Sequence, residues 1–317
     1  MNPLPATDTR RMDPVLALAG LGVGMVVGLT GMGGGALMTP ILVLFFGVPP
    51  LAAVSSDLVA SAVMKPFGGL VHIRRGTVNW RLVGWLCVGS VPSAFLGVLL
   101  MRWLGGDRGV QDAVQRALGV ALLLAVVGLV VKAYAGRRAS PVDADRPGSP
   151  DPARPRVRPL ATALLGALGG VVVGLTSVGS GSLIIVILLA LYPTLRANDL
   201  VGTDLVQAIP LVGAAALGHV LFGDLHLDIA GAVLVGSVPG VLLGARLSSR
   251  APSGVIRSAL ALVLLASALK LLGVPNVAVV ATLVAVTVVG VALWWRDRFP
   301  RPVITESLRS YSDANSP

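Results

Sequence analysis

Cysteine is almost missing from this chain. Cys87 stands alone inside an apolar run, so no internal disulfide can form and no thiolate cluster can hold a metal. Histidine is scarce as well, with 3 scattered copies. They make no ligand set with the spacing of a zinc site, and neither a metal nor a cofactor is expected. Charged residues amount to 13% of 317, about half the roughly 25% usual in soluble domains. No G-x-x-x-x-G-K-[ST] occurs, which excludes P-loop nucleotide hydrolysis. No G-x-S-x-G marks a hydrolase nucleophile. A cleaved signal peptide is not expected either: the first apolar segment, Val15 to about Phe46, is too long for an h-region, and no clear A-x-A site follows it.

Apolar residues are what the chain has in excess: 55% of it, with a mean hydropathy of +0.85. Apolar runs of about 18 residues or more recur along its length, too many for the interior of a soluble fold of this size. The fold class is therefore an all-α polytopic integral membrane protein, multi-pass in the cell (plasma) membrane, with the lipid bilayer as its surroundings. The net charge of +10 does not point to nucleic acid. The arginines sit in short loops between apolar runs, as cytoplasmic loops of a membrane protein require.

Residues also match at a fixed offset. Asp57 and Asp204 lie 147 apart, as do His72 and His219, and Gly76 and Gly223. The string GSVP at Gly89–Pro92 returns at Gly236–Pro239, and Gly84/Gly231 and Gly97/Gly244 keep the register. GLTGMGGGALMTP from Gly28 and GLTSVGSGSLIIV from Gly174 pair at 146. The chain is two copies of one unit. Its parts are an N-terminal tail 1–14, a first membrane repeat 15–135, a linker 136–159, a second repeat 160–273, an extra transmembrane helix 274–300 and a tail 301–317. The linker, rich in Pro, Arg and Asp with nothing to bury, reads as a disordered cytoplasmic loop.

Each half opens on a segment interrupted by the glycine motif, 15–46 and 160–191. Plainer spans follow at about 51–72, 79–101 and 113–133, then 198–222, 227–248 and 254–272, with a last span at 276–295. If every segment crosses the bilayer, Lys and Arg divide 13 against 11, with Lys65 inside it. If the interrupted segments are re-entrant, each half crosses three times, the second copy is inverted, and the division becomes 18 against 6. The positive-inside rule favours the inverted arrangement and puts the N-terminus outside. Re-entrant arms of roughly 12–15 residues, about 18–22 Å of helix, reach mid-membrane but not across.

Glycine costs about 1 kcal/mol relative to alanine inside a helix, so Gly33–Gly35 should unwind it. Opened backbone is tolerated in a bilayer only inside protein or along a water-filled cavity. Helices restarting at about Ala36 and Leu183 would present free N–H groups and positive dipole ends. Two such ends brought together make an anion site. The candidate substrate-binding residues are Thr30, Gly31, Gly33, Gly34 and Gly35 in the first copy, and Thr176, Ser177, Gly179, Ser180, Gly181 and Ser182 in the second. Their glycines open the backbone and their hydroxyls can donate to oxyanion oxygens. Gly20, Gly24, Gly28 and Gly166, Gly170, Gly174 are spaced by four and read as helix-packing stripes instead.

Together the doubled glycine motif, the polar starts VSSDL and VGTDL of the next helices, and HIRRGTVNWR resemble the sulfite exporter TauE/SafE family of membrane permeases, over about residues 15–295. The resemblance implies a secondary transporter of sulfur oxyanions or organosulfonates, often an exporter, without fixing which anion. The second motif reads SVGSGS where the first reads GMGGGA, so the two half-sites are unequal.

Lys65 adds a charge mid-span, in SAVMKPFGG, at a cost of at least about 2.5 kcal/mol at the bilayer centre. Either it pairs with Asp57 or Asp204, or it faces the anion; Val212 holds the matching position. Asp57 and Asp204 are expected in the first turn of their helices, where capping suits them along with Ser55, Ser56 and Thr203. A coupling proton is the other role open to such carboxylates. His72 and His219, near helix ends, read as interface anchors, and Trp80, Trp103, Trp294 and Trp295 as an interfacial belt. The function expected is a secondary transporter of a small anion, with a passive channel as the alternative. An intramembrane serine hydrolase using Ser180 and His219 is least favoured: VGSG lacks the leading glycine of G-x-S-G, and a single-site protease has no use for a duplicated chain.

Overall fold

Glycine and proline divide the chain into helices. The structure, a computed structural model, describes residues 14–30, 35–104, 108–138, 157–179, 181, 183–192, 195, 197–223, 225–247 and 253–298. Among them every regular element is an α-helix. The first copy holds α1 (Pro14–Thr30), α2 (Gly35–Phe45), α3 (Pro50–Arg74), α4 (Trp80–Leu104) and α5 (Arg108–Arg138). The second holds α6 (Pro159–Thr176), α7 (Leu183–Leu191), α8 (Ala197–Phe222), α9 (Leu227–Leu247) and α10 (Ser253–Leu271), and α11 (Asn276–Arg298) comes last. Proline opens α1, α3 and α6, where its fixed φ suits the first turn and its missing N–H would have had no partner.

The second opening segment is interrupted at its glycine motif, while in the first α1 ends at Thr30 and α2 begins at Gly35, with 31–34 outside the described residues; the arms are not the equal ones anticipated. α1 and α6 have 17 and 18 residues, about 26 and 27 Å of helix. α2 and α7 have 11 and 9 residues, about 17 and 14 Å. The break comes late because single glycines spaced by four leave a helix intact when a neighbour packs on them. The second segment folds back on itself. Tyr192, just past α7, brings its hydroxyl within 2.6 Å of Thr162 Oγ1 and accepts the Arg158 N–H at 2.8 Å. The end of α7 thus lies beside the start of α6, and a methyl on Gly169 would meet Ile184 between them.

Packing joins helices far apart in the chain. α1 lies along α9, and α6 lies along α4. Under the 147-residue offset α4 corresponds to α9, so each pairing is the counterpart of the other. The contacts are backbone to backbone. A methyl on Gly24 would strike Ser237, one on Gly236 would strike Ala17, one on Gly170 would strike Ser90, and one on Gly89 would strike Ala163. Lipid tails are as apolar as leucine, so close approach rather than hydrophobic exclusion drives such pairings. α3 packs on α8 and α5 on α10.

Five helical stretches among the described residues are long and apolar enough to cross a membrane: 80–103, 108–131, 159–176, 199–222 and 227–244. α3 has 25 residues but carries Asp57, Lys65 and Arg74. The apolar stretches 258–271 and 276–292 are shorter. Large apolar side chains such as Val88, Leu96, Val127, Leu164 and Val235 are exposed, and polar ones on α3 and α8 are buried, the reverse of a soluble fold. The contacts divide the chain at Val274/Pro275. The unit before that point contains α1 to α10, and the unit after it contains α11.

Candidate functional site

The break after α6 is set by backbone chirality. Ser177 takes the left-handed conformation, φ 57°, and its N–H returns to Val173 O at 2.7 Å. It is the only non-glycine with positive φ among the described residues. Such strain persists only where the surroundings hold it. Gly179 (φ 125°) and Gly181 (φ 103°) follow, in conformations an L side chain rarely adopts. Thr176 Oγ1 closes on Val172 O at 2.6 Å and accepts the Val178 N–H at 3.2 Å. Its hydroxyl thus finishes the helix. At the restart, the N–H groups of Leu183 and Ile184 both turn to Gly179 O, at 3.1 and 3.4 Å. The free amides anticipated at Leu183 are thus in use within the break.

Asp57 is where the two interrupted segments meet. Thr39 Oγ1, on α2, donates to Asp57 Oδ2 at 2.7 Å, and Ser177 Oγ, at the second break, donates to the same oxygen at 2.8 Å. Ser61 Oγ stands 3.5 Å from Oδ1, one turn along α3. All four side chains are buried. Lys65, 7% exposed, is close enough for its charge to act on both Asp57 and Asp204. A buried charge in a bilayer is retained only with such partners. Lys65 therefore lies in a buried polar cluster with both aspartates, on the packed pair α3 and α8.

Position corrects the capping role. α3 begins at Pro50 and α8 at Ala197, so Asp57 and Asp204 lie two turns inside, fully buried. The polar residues preceding each aspartate had suggested a start, but the helix extends back through them. Thr203 instead accepts the Asn79 N–H at 3.0 Å, tying the α3–α4 loop to α8, and Ser56 Oγ is buried with no hydrogen-bond partner among the described residues. His219 is corrected too. Rather than anchoring at the interface, it is buried, with Nδ1 2.7 Å from Ser55 Oγ and Nε2 2.9 Å from Gly174 O. Both ring nitrogens are engaged, so neither is available to activate Ser180. His72 is half-buried at the end of α3, with Nδ1 2.9 Å from Thr77 Oγ1.

Gly31, Gly33, Gly34, Ser180 and Ser182 lie outside the described residues, as does the side chain of Thr30; Gly35 opens α2. The sequence reading missed Thr39, Ser61 and Gln207. Gln207 is buried and accepts from Ser90 Oγ at 3.3 Å. Single hydroxyls in apolar helices carry no pattern of their own. Ser61 and Gln207 could have been found by noting that each shares a helical face with a buried aspartate, at spacings of four and three.

Comparison with known proteins gives a consistent picture. A family model described as "Sulfite exporter TauE/SafE" matches residues 16–271. A probable membrane transporter protein of Bacillus subtilis (strain 168), YjnA, is 37% identical over 267 residues, covering 82% of this chain and 100% of its own length. A second from the same organism, YdhB, is 24% identical over 75% of this chain and 91% of its own. A probable membrane transporter protein of Xylella fastidiosa (strain Temecula1 / ATCC 700964) is 28% identical over 72% and 82%. No solved structure matches.

Proposed function

The chain belongs to the sulfite exporter TauE/SafE family and is a multi-pass membrane transporter; we propose that its cargo is a small oxyanion, sulfite or an organosulfonate, bound mid-membrane where the interrupted segments meet. One observation carries this reading. Hydroxyl donors from both segments, Thr39 and Ser177, converge on a single anionic oxygen of Asp57. That is the arrangement an oxyanion oxygen would need. The backbone of Thr30, Gly31, Gly33, Gly34 and Gly35, with Gly179, Ser180, Gly181 and Ser182, makes up the rest of the site in this reading.

The charges then dictate the coupling. With Lys65 and both carboxylates ionised, the cluster carries one net negative charge and repels an anion. A proton taken up by Asp57 removes that charge and turns a pure acceptor into a hydroxyl donor. Thr39 and Ser177 are released to the substrate, so anion and proton move together. In the plasma membrane the two copies are inverted, with their interrupted segments re-entrant. The return of Tyr192 to Thr162, the shortness of α7 and the excess of Lys and Arg on one side support that topology.

Flux of radiolabelled sulfite, thiosulfate and a sulfonate into proteoliposomes tests it. Saturable flux of at least one, accelerated by a proton gradient in the direction of anion movement, is expected. Saturable flux indifferent to pH removes the coupling, non-saturable flux points to a passive channel, and no flux of any of the three removes the substrate class.

A further inference from the structure

We infer that His219 is the positioning residue of the second break: through its two ring nitrogens it ties the carbonyl end of α6 to the helix that bears Asp57. The inference rests on the reading that Ser177 serves the substrate. Gly174 lies in the last turn of α6, where carbonyls have no partner within the helix. His219 Nε2, 2.9 Å from that carbonyl, must carry the hydrogen, because a carbonyl only accepts. Nδ1 faces Ser55 Oγ at 2.7 Å, and the same hydroxyl lies 2.9 Å from Leu51 O. If Nδ1 bears no hydrogen, Ser55 donates to it; if it bears one, Ser55 accepts it and donates to Leu51 O. Either way every atom stays in place and only the hydroxyl hydrogen turns.

The contacts close a ring. Ser55 and Asp57 are two residues apart on α3, Gly174 and Ser177 are three apart at the end of α6, Ser177 donates to Asp57, and His219 of α8 joins the other two corners. Ser177 sits in a left-handed conformation unfavourable for a serine, and this ring is what holds it there. The first copy cannot build the same ring. His72 takes the matching position but meets Thr77, and Gly202 replaces Ser55.

The test compares His219→Gln, His219→Asn and His219→Ala in sulfite flux. It adds maleimide labelling at V178C in a C87S background, which reads the break directly. Glutamine keeps an N–H near the place of Nε2 and so keeps Gly174; asparagine ends too short. His219→Gln should therefore leave the half-saturation for sulfite and the labelling rate nearly unchanged. His219→Asn and His219→Ala should raise both by about 10-fold, the loss of one hydrogen bond, with the maximal rate changing less. Gln and Asn behaving alike, or His219→Ala leaving both readouts unchanged, would overturn the inference. If His219→Ala does not reach the membrane, Ser55→Ala should move both readouts the same way by a smaller factor, and no movement overturns it equally. Labelling that responds at position 219 while Ser177→Ala leaves sulfite flux intact supports the positioning role and removes Ser177 from the substrate site.

Discussion

Asp57 and Asp204 stand 147 residues apart, at matching positions of the sequence offset, and both are buried, yet their surroundings differ. Asp57 has hydroxyls from Thr39, Ser61 and Ser177 around it. The positions at the matching sequence offsets are Ile185, Ala208 and Gly31. The glycine contacts have not parted: Gly24 with Ser237 and Gly170 with Ser90 are the same contact made twice. Where backbones touch, any Cβ collides, so both copies must keep glycine. A hydroxyl can be lost from one copy whenever the other supplies the donor. Among the described residues, then, the backbone contacts recur at the matching offset, whereas three hydroxyls gather at Asp57.

Four experiments bear on that contrast. Lys65→Met takes the cation from a buried cluster whose counterpart position is Val212, and leaving carboxylates uncompensated should cost about 3–5 kcal/mol. Thermal denaturation in detergent should show the loss, partly restored by adding Asp204→Asn; a variant as stable as the parent would mean the cluster is not ionic. Asp57→Ala should lower sulfite flux about 100-fold, because hydrogen bonds to a charged group are worth about 1.5–3 kcal/mol each. Asp204→Ala should lower it about 10-fold, and equal losses would break the asymmetry. Gly89→Ala and Gly236→Ala press a methyl into the same contact in the two halves, so each should destabilise by about 1–3 kcal/mol and by similar amounts. Tolerance of only one would show the two packings to be unlike. Smallest is Gln207→Leu, which takes the acceptor from Ser90 for about 0.6 kcal/mol, the average for such bonds within a membrane; the matching residue, Ala60, offers none to lose.

Much of the scaffold could be read in advance. α3, α4, α8, α9 and α11 begin and end within a few residues of the spans drawn from apolar runs, because a bilayer demands helices of set length. The interruption after Ser177 was readable for the converse reason, since clustered glycines favour the open backbone. Lys65 was recognisable as a charge in need of a partner. Thr39, His219 and Gln207 were not recognised. Thr39 and Ser177 are 138 residues apart and share Asp57 only because of how the helices pack, and His219 looked peripheral because chain position near a helix end was taken for depth.

By itself the sequence determined that the chain is a multi-pass membrane protein of apolar helices and where the second opening segment breaks, since each follows from local composition and spacing. Only the tertiary structure decided which copy holds the hydroxyls, which histidine is buried and what Lys65 faces. Hydrogen bonds and ion pairs depend on distances of a few ångströms between residues far apart in the chain, and spacing along one strand of text does not contain them.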